Sequence, residues 1–172
     1  MKKQNNVLYR EVQKPRSFLI WIVASILMIF LWYAFFQQVI FGNPVGDKPA
    51  PDVVLIVMWF LFGIAFPFIL LFFTKLIIEV HDEGISIQYL PFHFRSKPLL
   101  IKDISDYKVI TYSALTRFGG WGIRINVNGE KAYIMSGNKG IQVNMQYETL
   151  VIGTRNPDEL KAAIDFVTKK EN

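Results

Sequence analysis

Between Phe18 and Phe73 the chain is almost free of charge, whereas from Lys75 onward apolar and polar positions alternate. Of its 19 basic and 14 acidic residues, only Asp47, Lys48 and Asp52 fall inside the first window. Residues 18–41 (FLIWIVASILMIFLWYAFFQQVIF) and 53–73 (VVLIVMWFLFGIAFPFILLFF) carry no charge at all. A helix of the first length covers roughly 36 Å, against a bilayer hydrocarbon core of about 30 Å. Both segments therefore read as transmembrane helices. A buried soluble helix rarely stays apolar for so long, and the Phe41-Gly42-Asn43-Pro44 end offers no small-residue signal-peptide cleavage site. Pro67 predicts a bend in the last third of the second helix. Between them, GNPVGDKPAPD (42–52) has the Pro and Gly content of a tight hairpin loop. Gln37 and Gln38 are expected at headgroup level, and Trp21, Trp32, Tyr33 and Trp59 at the interface or, for Trp32 and Trp59, between the helices. Neither helix carries an ionisable residue or a GxxxG pattern, so neither a transport path nor a tight helix dimer is specified.

After Lys75 the period is two. Lys75–His81, the turn Asp82-Glu83-Gly84 and Ile85–Leu90 form a predicted β-hairpin. Residues 91–98 (PFHFRSKP) read as a loop, 99–111 as one long or broken strand, and 112–120 as a second loop. Gly122–Val127 and Lys131–Met135 flank Asn128-Gly129, a strong hairpin signal. Gly140–Met145 and Thr149–Thr154 complete the strands. Asn156, Pro157, Asp158 and Glu159 open a terminal helix over 157–169, with Leu160, Ala163, Ile164 and Val167 on one stripe.

The expected architecture is a membrane α-helical hairpin plus an α+β domain of about seven antiparallel strands capped by a C-terminal helix. Its divisions are a basic tail (1–17), the helical hairpin (18–73) and the β domain (74–172). Charge adds orientation. Residues 1–16 carry Lys2, Lys3, Arg10, Lys14 and Arg16 against Glu11, while the 42–52 loop has one basic residue. Basic flanks stay on the cytoplasmic side, so both termini are expected in the cytoplasm of a cell-membrane protein with two spans. The high pI arises mainly in the tail and does not indicate nucleic-acid binding. With no cysteine, thiolate chemistry and disulfides are excluded.

The IKDI step (101–104), the GGWGIRI run (119–125) and IGTRNPDEL (152–160) leading into the helix resemble the pleckstrin-homology-like (PH-like) fold. Over residues 18–169 the chain resembles small bacterial membrane proteins that place two spans before a PH-like domain. Eukaryotic members bind phosphoinositides through a basic cluster between their first two strands. The turn matched to it here, Asp82-Glu83-Gly84, is acidic, and that activity is not carried over.

No catalytic, cofactor or metal constellation emerges. His81 and His93 lack ligand spacing, Asp103 and Asp106 suit capping, and Gly119-Gly120-Trp121-Gly122 lacks the Lys and helix of a phosphate loop. Two surfaces stand out. Phe92, Phe94, Arg95 and Lys97 form a candidate membrane-surface loop, the aromatics for the apolar zone and the cations for phosphates. Arg117, Phe118 and Trp121 form a candidate partner-binding loop. The expected function is a membrane-anchored interaction module without catalysis. Its partners are the lipid bilayer and, where one exists, a membrane or cytoplasmic protein. A small subunit of an oligomeric channel or transporter complex is the alternative, and a homo-oligomer is left open.

Overall fold

The computed structural model describes residues 7–171. The chain divides into two compact units. One comprises residues 17–73 and the other the segments on either side.

The first unit is a pair of helices, Phe18–Ile40 and Asp52–Phe72, each long and apolar enough to cross a membrane. Each contains a wide π turn, over Phe35–Ile40 and Trp59–Ala65. The disturbance expected at Pro67 thus takes the form of a π turn immediately before it. Pro67 has no N–H to donate to the Gly63 carbonyl four residues earlier. The Trp32 indole of the other helix donates to that oxygen at 3.2 Å. Trp59 stacks on Phe35 (4.1 Å, 12°) and meets Trp32 edge-on (5.2 Å). Trp32 and Trp59 therefore pack between the helices. Gly63 makes room for them, since a Cβ there would lie 3.2 Å from Trp59 Cδ1. Gln37 and Gln38 brace the connecting loop: Gln38 Nε2 donates to the Ala50 carbonyl (2.6 Å) and Asp52 Oδ1 (2.8 Å), and Asn43 N donates to the Gln37 carbonyl (2.8 Å).

The second unit is a two-sheet sandwich with one terminal helix. The four-stranded sheet runs β1 (Val7–Gln13), β2 (Lys75–His81), β3 (Gly84–Leu90), β4 (Lys97–Leu100), all antiparallel. The other has the order β5-β8-β9-β7-β6, from β5 (Ile104–Thr111), β6 (Gly122–Ile125), β7 (Lys131–Ile134), β8 (Lys139–Met145) and β9 (Thr149–Gly153).

Two expectations are corrected. Nine strands are formed among the described residues where about seven were expected, and one pair, β7–β9, is parallel. The largest change is β1, since Val7–Gln13 lies within the expected tail and yet pairs with β2 along its length. Lys2 and Lys3 of that tail lie outside the described residues. The 99–111 stretch breaks at a 3₁₀ turn, Ile101–Asp103, where the chain passes from one sheet to the other. The Asn128-Gly129 hairpin forms, closed by Asn126 N donating to the Glu130 carbonyl (3.1 Å).

Alternation explains the core. Leu76, Ile78 and Val80 of β2, Ile85, Ile87 and Tyr89 of β3, and Ile141, Val143, Leu150 and Ile152 of β8 and β9 point between the sheets and are buried. The helix Pro157–Glu171 adds Leu160, Ile164 and Val167 to this core, the stripe read from their spacing. Burying such side chains contributes roughly 1.5–3 kcal/mol each. A second cluster lies on the other face of the five-stranded sheet. Tyr112, Ala114 and Phe118 cover Ala132, Ile134 and Val151 there.

Candidate functional site

Strand register brings three chain segments to one end of the four-stranded sheet. Gln13 at the end of β1 pairs with Leu76 at the start of β2, and Lys75 pairs with Leu90 at the end of β3. The two-helix unit is thus spliced between neighbouring strands, in the place a hairpin turn would occupy. Residues 91–96, which follow β3, leave from that same end.

This loop is held firmly at its base. His93 N donates to the Tyr89 carbonyl (2.7 Å), and Gln88 Nε2 donates to the Phe94 carbonyl (2.9 Å). The His93 ring packs on Tyr133, centroids 5.8 Å apart. Tyr89 is buried beneath and donates to Met135 Sδ (3.7 Å), and its burial pushes the phenol up to about 12. Phe92 and Phe94 point outward, 74% and 81% exposed. Arg95 is exposed and makes no ion pair with a described residue. Lys97 differs: its ammonium lies 2.9 Å from Glu148 Oε1, and the other Glu148 oxygen takes Lys131. Hydrogen bonds from Lys131 and then Lys97 hold the Glu148 carboxyl below its ordinary range. The structure therefore brings together all four residues expected in this loop, but only Arg95 offers a free cation.

The second expected surface, at Arg117, Phe118 and Trp121, belongs to a strap, residues 112–121, across the outer face of the five-stranded sheet. Its middle is a short helix, Ala114–Phe118, capped by Ser113. Phe118 is only 5% exposed, and Trp121 packs against the same cluster. Arg117 grips Glu130 with two hydrogen bonds (2.8 and 3.0 Å) and reaches Gln142 Oε1 (3.1 Å). That guanidinium is the main reason the Glu130 carboxyl lies below its usual range. Tyr112 lies flat because Gly140 and Gly153 beneath it have no side chains. A Cβ at Gly153 would sit 2.7 Å from Tyr112 Oη. So Arg117, Phe118 and Trp121 do converge, and their contacts are with the sheet.

A third cluster had no signal in the hydrophobic pattern. Glu11, 9% exposed, accepts from Tyr9 Oη (2.8 Å), the Thr154 hydroxyl and Arg155 N (2.9 Å). The fully buried Gln13 amide donates to the Gly153 carbonyl (2.7 Å), and Arg155 donates to the Lys14 carbonyl (3.2 Å). Together they latch β1 to the β9–helix junction. Burial, then the bond to Glu11, pushes the Tyr9 phenol well above its ordinary range.

A match to the family described as "Family of unknown function (DUF6141)" spans residues 1–169. The chain belongs to this family. No curated protein and no solved structure matches it. For this DUF6141 chain the site chemistry must be read from its own residues. One cluster superficially suggests catalysis. A cavity of about 220 Å³ on the four-stranded sheet is lined by Glu79, His81, Ser86 and Ser96, among others. Ser86 Oγ (3.5 Å) and Glu79 Oε2 (3.3 Å) both approach His81 Nε2. A nucleophile–base–acid relay needs them on opposite ring nitrogens. Glu79 is also engaged by Arg10 (3.1 Å). Among the described residues no group of three His, Cys, Asp or Glu could hold a metal ion. Asp103 sits in the 3₁₀ turn and Asp106 is exposed on β5. The Asp82-Glu83 turn joins β2 to β3, not the first two strands as the PH-like comparison assumed, and Lys170 bonds Asp82 (2.8 Å). The β1–β2 connection is the helical unit itself.

Proposed function

We propose that the protein is a membrane-anchored module whose PH-like sandwich is held at the cytoplasmic face of the cell membrane and acts by binding, without catalysis. The observation that carries this reading is the splice between β1 and β2. The residues before the first long helix and after the second belong to one sheet, paired from Val7↔His81 to Gln13↔Leu76. Two crossings of a bilayer would return the chain to the side it left, which is what that pairing demands. Only Lys14–Ser17 and Phe73–Thr74 separate strands from helices. The basic residues Arg10, Lys14, Arg16 and Lys75 flank the helices, while Asp47 and Lys48 lie in the loop between them and Asp52 opens the second helix. That asymmetry favours a cytoplasmic sandwich. The PH-like part of the reading rests on two stacked sheets closed by one C-terminal helix. No described cluster has relay or metal geometry, which favours binding over turnover.

The test uses the absence of cysteine. Single-cysteine variants Leu8→Cys, Asp47→Cys and Lys139→Cys are exposed to an impermeant thiol reagent in right-side-out vesicles. Labelling of position 47 alone is expected. Labelling of 8 or 139 from outside overturns the orientation, and labelling of 8 and 139 from opposite sides overturns the anchored-module reading.

A further inference from the structure

We propose that residues 91–96 are an aromatic wedge that inserts Phe92 and Phe94 into the interface of the same bilayer that holds the two long helices. This rests on the anchored-module reading and names the partner of its candidate loop, a lipid surface. Three observations carry it. First, the loop leaves the sheet end at which β1 ends and β2 begins, as Gln13↔Leu76 and Lys75↔Leu90 show. The links there, Lys14–Ser17 and Phe73–Thr74, reach at most about 14 Å and about 7 Å. These short links tie the loop's end of the sheet covalently to both long helices. Second, the two aromatics are the most exposed side chains of the loop's apolar set, although its backbone is pinned by His93 N to the Tyr89 carbonyl and Gln88 to the Phe94 carbonyl. A pinned loop holding two Phe in water retains an unsatisfied apolar surface, and its ordering is complete before the membrane is met. Third, the charge pattern suits a shallow position. Arg95 is free for a phosphate, while Lys97 is occupied by Glu148 (2.9 Å).

The last point fixes the lipid dependence. Burying each Phe strengthens contact on the order of tenfold or more. One free arginine adds on the order of fivefold for an anionic surface. The wedge therefore holds to a neutral bilayer, with anionic lipid a modest supplement rather than a requirement.

Ser96→Cys in the full-length chain places one thiol in the loop with both phenylalanines intact. Labelled with an environment-sensitive fluorophore, it is measured in nanodiscs of phosphatidylcholine, with and without phosphatidylglycerol. The label at 96 should be blue-shifted, quenched by nitroxide-bearing lipid and shielded from aqueous iodide in both compositions. Glu83→Cys, at the opposite end of the same sheet and roughly 20 Å away, should respond to iodide alone. Adding Phe92→Ser and Phe94→Ser should abolish the lipid quenching at 96; both side chains are solvent-facing, so the core is undisturbed. Iodide access at 96 equal to that at 83 overturns the wedge and leaves anchoring, tested by the sided labelling, standing. Shielding without lipid quenching means protein covers the loop, which also overturns it. Quenching seen only with phosphatidylglycerol overturns the apolar mechanism.

Discussion

Replacing Glu11 with Ala tests whether the latch holds β1 in the sandwich. The carboxylate accepts three hydrogen bonds, and their donors differ in what they lose. The Tyr9 hydroxyl is half-buried and can turn toward water. The Thr154 hydroxyl, 2% exposed, keeps Asn156 N as a donor to it (3.1 Å) but loses the carboxylate that accepts its own proton. The Arg155 N–H loses its partner near the surface of the same cluster. Stranding a buried donor costs about 1–3 kcal/mol, and removing a buried carboxylate recovers part of its desolvation. The net expectation is a loss of about 2–4 kcal/mol. A cysteine at Val80, which faces Tyr9 across the β1–β2 ladder and is fully buried, reports the opening. Its rate of thiol labelling in micelles follows the population of open molecules, so the loss translates to roughly 30- to 900-fold faster labelling. Glu11→Gln keeps one acceptor oxygen and should fall between. Labelling accelerated less than about fivefold by Glu11→Ala would refute the argument that this carboxylate fastens the strand.

Four further outcomes are expected. Gly140→Ala would press a methyl to 2.6 Å from the Ile152 carbonyl and 3.0 Å from the Tyr112 ring, and should cost several kcal/mol, about 3 or more, in urea unfolding. Tyr112→Phe should be neutral or stabilising by about 1 kcal/mol in the same assay, because its hydroxyl is buried without a partner among the described residues and its pKa is pushed up to about 12 by burial alone. Trp32→Phe removes the indole donor to Gly63 and should weaken the helix pair by about 0.6 kcal/mol, read by steric-trap or detergent-denaturation measurements. Acid should loosen the Lys97–Glu148–Lys131 cluster. Because the folded pKa of Glu148 lies below its ordinary 4.5, the contribution is full above 4.5 and is lost as pH falls below it. Melting midpoints followed through this range should lose part of their acid slope in Glu148→Gln.

How much could be read from residue order differs by element. The two long helices were legible because 24 and then 21 positions pass without a charge, and nothing in an aqueous core demands that. The β2–β3 and β6–β7 hairpins and the terminal helix were legible because period-two and period-3.6 patterns end in turn and cap residues. Phe92, Phe94 and Arg95 were legible as a loop from Pro91 and Pro98. Strand β1 was not, because its pattern is inverted. Tyr9, Glu11 and Gln13 face inward while Leu8 and Val12 face outward, so no apolar face marks a strand. The Glu11 carboxylate and the Gln13 amide N–H find their partners at Gly153, Thr154 and Arg155, more than 130 residues away in the chain. Phe118 and Trp121 read as part of a candidate partner-binding loop because a five-residue helix and a sheet's outer face leave no periodic trace. Local chemistry thus determined the two long helices, the β2–β3 and β6–β7 hairpins and the terminal helix. Long-range pairing alone decided that the segment before the first helix completes the sheet after the second, since hydrogen bonds between distant strands carry no signature in the order of residues.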